Sequence, residues 1–121
     1  MADLQQIMNW TFISETQPPQ DILDILIEGE TVEVAYKTIR DVAVVTNKRI
    51  IIADRQGITG KKTEIYSIPF KSIVLYSSEN SGFLDVNAEL ELWTRVGRFK
   101  LNLNRNCDIR KLDRIIAQNI L

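Results

Sequence analysis

Four cations sit in two short polar corners of this 121-residue chain, Lys48 and Arg49 in one and Lys61 and Lys62 in the other. Cations on loops can meet a carboxylate, a phosphate or an anionic surface, because their charge stays at the solvent boundary where such partners arrive. The competing reading is a solvated turn, since Lys and Arg are mostly exposed in any protein. The second corner, Gly57-Ile58-Thr59-Gly60-Lys61-Lys62, has the glycines and lysines of a phosphate-cradling loop. It lacks the full G-x-x-x-x-G-K-S/T spacing and no helical pattern follows, so a hairpin connection accounts for it better. Cys107 precedes a helical pattern, where a thiolate could be stabilised. With no histidine anywhere to act as its base, a structural thiol is the expected role. Asp54 with Glu64, and Glu89 with Glu91, are the carboxylate pairs on offer. Glu89 and Glu91 share a strand face with Lys100 nearby, which is ordinary surface pairing, and no base, nucleophile and orienting group converge. The expectation is no catalytic residue, no cofactor site and no metal site, because a chain with no His and one Cys excludes zinc sites of the Cys/His type.

The composition sets wider bounds. Fifteen basic residues nearly cancel sixteen acidic ones, leaving a net charge of −1. No global basic field exists to draw in a phosphate backbone, so nucleic acid is not an expected partner. A hydrophobic fraction of 45% supplies a real core and argues against disorder. The single cysteine allows no internal disulfide and suits a reducing compartment. The opening M-A-D-L-Q-Q has neither the basic region nor the apolar core of a signal peptide, and no apolar run approaches a membrane span. A cytoplasmic location is expected.

Positioning these residues falls to an alternating pattern that fills most of the chain. Two β-branched runs, Val42 to Val45 and Ile50 to Ala53, flank the corner Thr46-Asn47-Lys48-Arg49 and read as a β-hairpin. Val32, Val34 and Tyr36 alternate with polar neighbours before it; residues 63–68 and 72–76 form further strands after it. In the run 84–93 the apolar residues Leu84, Val86, Ala88, Leu90 and Leu92 share one face. In 98–104, Phe99, Leu101 and Leu103 do the same. A four-residue loop from Thr94 to Gly97, with Gly97 at positive φ, sets Trp93 opposite Arg98, Leu92 opposite Phe99 and Glu91 opposite Lys100. That register predicts a cation–π contact, core packing and an ion pair; a one-residue slip sets Leu92 against Lys100. Asp108 caps a final amphipathic helix carrying Ile109, Leu112, Ile115, Ile116 and Ile120 on one stripe. At the other end, Leu4, Ile7, Met8 and Phe12 recur at helical spacing and predict a helix over 2–13, with a second short helix over 19–27 closed by Gly29. The organisation is therefore an N-terminal helical arm, 1–29, and a mainly β domain of seven antiparallel strands and a C-terminal helix, 30–121.

The hairpin is apolar on both faces, whereas an antiparallel sheet usually leaves one face wet. Something must cover its outer side, either the arm or another copy of the chain. Val42, Val44 and Ile51 are thus candidate self-association residues. Trp10 could anchor the arm to the barrel or to a second subunit, and burial is its default, as it is for Trp93.

Several stretches resemble the bacterial pleckstrin-homology (PH-like) family of small stand-alone proteins. They are I-L-I-E-G-E at 25–30, I-R-D at 39–41, T-N-K-R-I-I at 46–51, Q-G-I-T-G-K-K at 56–62, S-I-P-F-K-S-I at 67–73 and D-V-N-A-E-L-E-L-W at 85–93, in order and at matching spacing. The resemblance implies a partly open barrel with its C-terminal helix plugging one end. It also implies self-assembly into closed rings, described as pentamers, and supplies no catalytic activity. Lipid-binding eukaryotic relatives use basic residues on a longer connection between the first two strands. Here that connection is Ile39-Arg40-Asp41, and the closing helix lacks the usual tryptophan, so membrane binding is disfavoured. The leading expectation is a non-enzymatic binding or scaffold module that forms a homo-oligomeric ring. The alternative is an anion or membrane-surface reader using Lys48, Arg49, Lys61 and Lys62.

Overall fold

The computed structural model describes residues 7–56, 62–80 and 87–121. In chain order the elements are β1 (Ile7–Thr16), α1 (Gln20–Leu23), β2 (Val32–Thr38), β3 (Val42–Thr46), β4 (Arg49–Gln56) and β5 (Lys62–Pro69). A 3-10 turn (Phe70–Ser72), β6 (Ile73–Glu79), β7 (Ala88–Thr94), β8 (Gly97–Leu103) and α2 (Ile109–Ile120) complete it. The eight strands curl into one open sheet in the order β5-β4-β3-β2-β1-β8-β7-β6, and α2 closes the concave side.

The N-terminal segment is a strand where a helix over 2–13 was expected. β1 pairs antiparallel with β2 and parallel with β8, so it joins the four-stranded and three-stranded parts of the sheet. Met8 and Phe12 satisfy both a helical i, i+4 spacing and a strand i, i+2 spacing. Trp10 between them decides the matter: all three pack into the concave core. With a free strand edge on either side, an extended β1 satisfies its backbone groups in two ladders at once. This makes eight strands among the described residues rather than seven; residues 2–6 of the expected helix lie outside the described residues.

The second expected helix shrinks to the four residues of α1. Pro19 starts it, its carbonyl accepting from the amides of Ile22 and Leu23, and Gly29 ends the following turns at φ +82. Short as it is, this segment covers the outer side of the β3–β4 hairpin. Ile22 packs against Ala35, Val42, Val44, Ile51 and Ala53, with Leu26 and Val32 at the margin. The doubly apolar hairpin is therefore covered by its own chain.

The predicted β7–β8 register is present: Trp93 faces Arg98, Leu92 faces Phe99 and Glu91 faces Lys100. The charges pair on the diagonal rather than straight across. Arg98 reaches Glu91 at 3.3 Å and Lys100 reaches Glu89 at 3.5 Å, as diagonal neighbours on a sheet can. Arg98 is thus committed to a carboxylate in place of the cation–π contact expected with Trp93. Gly97 has positive φ, as expected, and Thr94 Oγ1 accepts from Val96 N at 3.2 Å to hold the turn. Residues 84–86 of the expected run lie outside the described residues.

Asp108 caps α2, its Oδ1 accepting from the amides of Arg110 (3.0 Å) and Lys111 (3.3 Å). Ile109, Leu112, Ile115 and Ile116 drop from α2 into a core built of Phe12, Tyr36, Ile50, Ile52, Leu90, Leu92, Leu101 and Leu103. Three aromatic contacts tie the halves of the curl together. Phe12 stacks on Tyr36 at 4.7 Å, and Trp10 lies 6.1 Å from Phe99 and 5.5 Å from Tyr66.

Candidate functional site

The polar corner Thr46-Asn47-Lys48-Arg49 connects β3 to β4, and most of its chemistry is spent inside the chain. Thr46 Oγ1 accepts from the amides of Lys48 and Arg49, both at 3.0 Å, and so closes the turn. Asn47 clasps the chain before β2: its Nδ2 donates to Gly29 O at 3.0 Å and its Oδ1 accepts from Thr31 N at 2.9 Å. Arg49 reaches the same segment. Its Nε donates to Glu30 Oε2 at 2.8 Å and its Nη2 to Glu30 Oε1 at 3.0 Å, while Nη2 also donates to Ile25 O and Nη1 to Ser67 Oγ. Glu30 additionally accepts from Thr46 Oγ1 (2.7 Å) and Ile27 N (3.1 Å). Its side chain is fully buried, and the Arg49 hydrogen bonds hold its carboxyl well below the usual range, at about 2.

Of the four cations nominated from the sequence, the three among the described residues, Lys48, Arg49 and Lys62, do not form one group. Arg49 has four of its five N–H donors engaged. Lys62 opens β5 opposite Gln56, at the far end of β4 from Lys48; the seven steps from Arg49 to Gln56 at ~3.3 Å each span roughly 23 Å. Lys61 and the glycine loop 57–60 lie outside the described residues. The cation that does join Lys48 is Lys71, on the 3-10 turn after β5. Phe70 N donates to Lys48 O at 3.0 Å, which fastens that turn against the β3–β4 corner. Sequence reading missed Lys71; the signal was the β4–β5 register, which sets Pro69 opposite Arg49.

Lys48 and Lys71 open onto a cleft of about 520 Å³. Ile27 and Pro69 give its lining an apolar part, and Asn119 of α2 and the Glu30–Arg49 pair line it as well.

The remaining candidates are engaged within the fold. Asp54 and Glu64 do become cross-strand neighbours, but Arg40 Nε sits 2.9 Å from Asp54 Oδ1 and the Tyr66 hydroxyl donates to Glu64. The Arg40 Nε–H itself points to Arg55 O at 3.2 Å, so its contact with Asp54 is an ion pair rather than a hydrogen bond. Cys107 is buried, its Sγ donating to Phe12 O at 3.5 Å, and burial with the nearby Glu15 charge pushes the thiol up to about 11. The proposed self-association residues Val42, Val44 and Ile51 are buried under α1, and Trp10 lies in the concave core. Trp93 is half-buried on β7. Among the described residues no three His, Cys, Asp or Glu side chains group as metal ligands, and no helix is long and apolar enough to cross a membrane.

Comparison with known proteins places the chain among relatives of unassigned role. The bacterial PH domain family matches residues 3–120. The chain is 48% identical over 85 residues to the uncharacterized protein YjqA of Bacillus subtilis (strain 168), covering 70% of this chain and 68% of that protein. It is 28% identical over 108 residues to the uncharacterized protein YozO of the same organism, covering 89% and 94%. A DUF1696-family protein with a pleckstrin-homology domain from Shewanella loihica superposes with a TM-score of 0.77 at 34% identity, over 94% of this chain and 99% of that one. A pleckstrin homology domain from Shewanella amazonensis gives 0.66 at 38% identity, over 84% of each.

Proposed function

The chain belongs to the bacterial PH domain family, and from that footing we propose that it is a non-enzymatic scaffold module that binds copies of itself. The observation that carries this reading is the state of the sheet's ends. An open sheet has two edge strands, and among the described residues these are β5 and β6, neither with a further strand on its outer side. β6 has no lysine or proline to blunt it, and it exposes Val74 (66%) and Leu75 (58%) beside the chain end at Leu121. β5 adds the exposed Ile65 at the other edge. Pairing β6 of one copy with β5 of the next would be head-to-tail, and such a contact generates a closed ring when its rotation closes. Assembly at the edges replaces the buried hairpin as the proposed contact; a pentamer is the subunit number that the family resemblance suggests.

Native mass spectrometry and sedimentation velocity across a range of protein concentrations test this. A dominant closed oligomer that Val74→Lys/Leu75→Lys converts to folded monomer supports the reading. A wild-type protein that stays monomeric throughout sinks it.

A further inference from the structure

Lys48 and Lys71 are held at one opening by the Phe70–Lys48 backbone hydrogen bond, and both line the same cleft. Neither forms an ion pair among the described residues. The third cation of the cleft, Arg49, is neutralised by its ion pair with Glu30, so the uncompensated charge of the lining comes from the two lysines. Like charges brought to one site favour an anion between them. Part of the lining is apolar: Ile27 is 61% exposed, and Pro69 lines the cleft with it. The cleft's volume of about 520 Å³ is within the range of small-molecule sites and far exceeds what an inorganic phosphate would fill.

We propose that this cleft binds an amphipathic organic anion, one carboxylate or phosphate on an apolar body, with Lys48 and Lys71 taking the charged group and Ile27 and Pro69 the apolar part. The rigidity of the opening follows from the Glu30, Asn47 and Arg49 clasps, which fix the backbone on both sides before any ligand arrives. Preformed geometry of this kind reduces the ordering cost of binding. The inference differs from self-association in what it uses: side chains at the β3–β4 corner and at the last residue of β5, not the backbone ladder of either edge strand.

Isothermal titration of the full chain with decanoate and with decyl phosphate, each below its micelle-forming concentration, tests it, with decanol as the uncharged comparison. Both anions are expected to bind, with decanol weaker by about tenfold or more. Lys48→Glu/Lys71→Glu should weaken anion binding by about tenfold or more, whereas Lys37→Glu/Arg105→Glu, the same charge change at exposed positions outside the cleft, should not. Ile27→Asp should weaken binding while leaving both lysines in place. Co-sedimentation with phosphatidylglycerol vesicles distinguishes the source of the anion. Vesicle binding that the Lys48/Lys71 variant loses assigns it to lipid headgroups, and titration heats without vesicle binding assign it to soluble acids. The absence of heat with both anions, equal binding of decanol and decanoate, or equal losses in the two double variants would overturn the proposal.

Discussion

Arg49 grips Glu30 through two parallel hydrogen bonds, Nε to Oε2 at 2.8 Å and Nη2 to Oε1 at 3.0 Å, and so ties the segment that carries α1 to the hairpin it covers. The carboxylate is wholly buried and the guanidinium 21% exposed. A buried bidentate pair of this kind has little net value against an apolar replacement, but breaking it leaves a charge without compensation. Arg49→Met should therefore destabilise the fold by about 3–5 kcal/mol. Glu30→Met/Arg49→Met should cost clearly less than the two single changes added together. Urea unfolding of the four proteins measures the coupling; strict additivity would mean the pair does not act as a unit.

Glu30 also makes a prediction about acid. Its carboxyl moves from the usual 4.5 to about 2 in the folded chain, chiefly through the Arg49 hydrogen bonds. A group whose folded value is lowered adds stability that is fully present above the unfolded value and disappears as pH falls through the folded one. Here the loss begins near pH 4.5 and is complete below about 2. The contribution is on the order of 3 kcal/mol. Chemical denaturation at a series of pH values should show this slope in the wild type and a shallower one in Glu30→Gln. Equal slopes would assign the acid sensitivity to other carboxylates.

Ile22 is the side chain through which four residues of helix cover a hydrophobic face. Ile22→Ala should cost about 2–5 kcal/mol, because it removes buried methyl groups above Val44 and Ile51. Val44→Glu and Ile51→Glu should be worse, since each buries an unpaired charge between α1 and the sheet. Thermal unfolding of the purified variants measures this. Wild-type melting of Val44→Glu would show that the cover lifts away freely.

Cys107 should be silent toward thiol reagents. Burial and the Glu15 charge push the thiol up to about 11, and its S–H is turned to the Phe12 carbonyl. A disulfide-exchange reagent at pH 8 is expected to leave the native protein unmodified and to react fully in denaturant. Rapid labelling of the native chain would place the sulfur at the surface.

Much of the fold was legible because local patterns and tertiary packing agree. In β7 and β8 a strict alternation allowed one register, and the hairpin adopts it. Asp108 before an apolar stripe announced the cap and the buried face of α2. The candidate site was less legible. Arg49 looks like a binding group in the sequence, but its hydrogen bonds to Glu30, nineteen positions away, leave no local trace. The same holds for Lys71, which meets Lys48 only because the β4–β5 ladder folds it back.

The sequence by itself determined the class of fold, the hairpins and the closing helix, since strand alternation, turn chemistry and capping act between neighbours a few residues apart. Only the tertiary structure decided that residues 7–16 extend rather than coil, that α1 covers the hairpin from within the chain, and that Arg49 serves Glu30 while Lys48 and Lys71 share a cleft. Each of these depends on a partner far along the chain. Met8, Trp10 and Phe12 fit two periodicities, and the vacant ladder positions on β2 and β8 selected the strand.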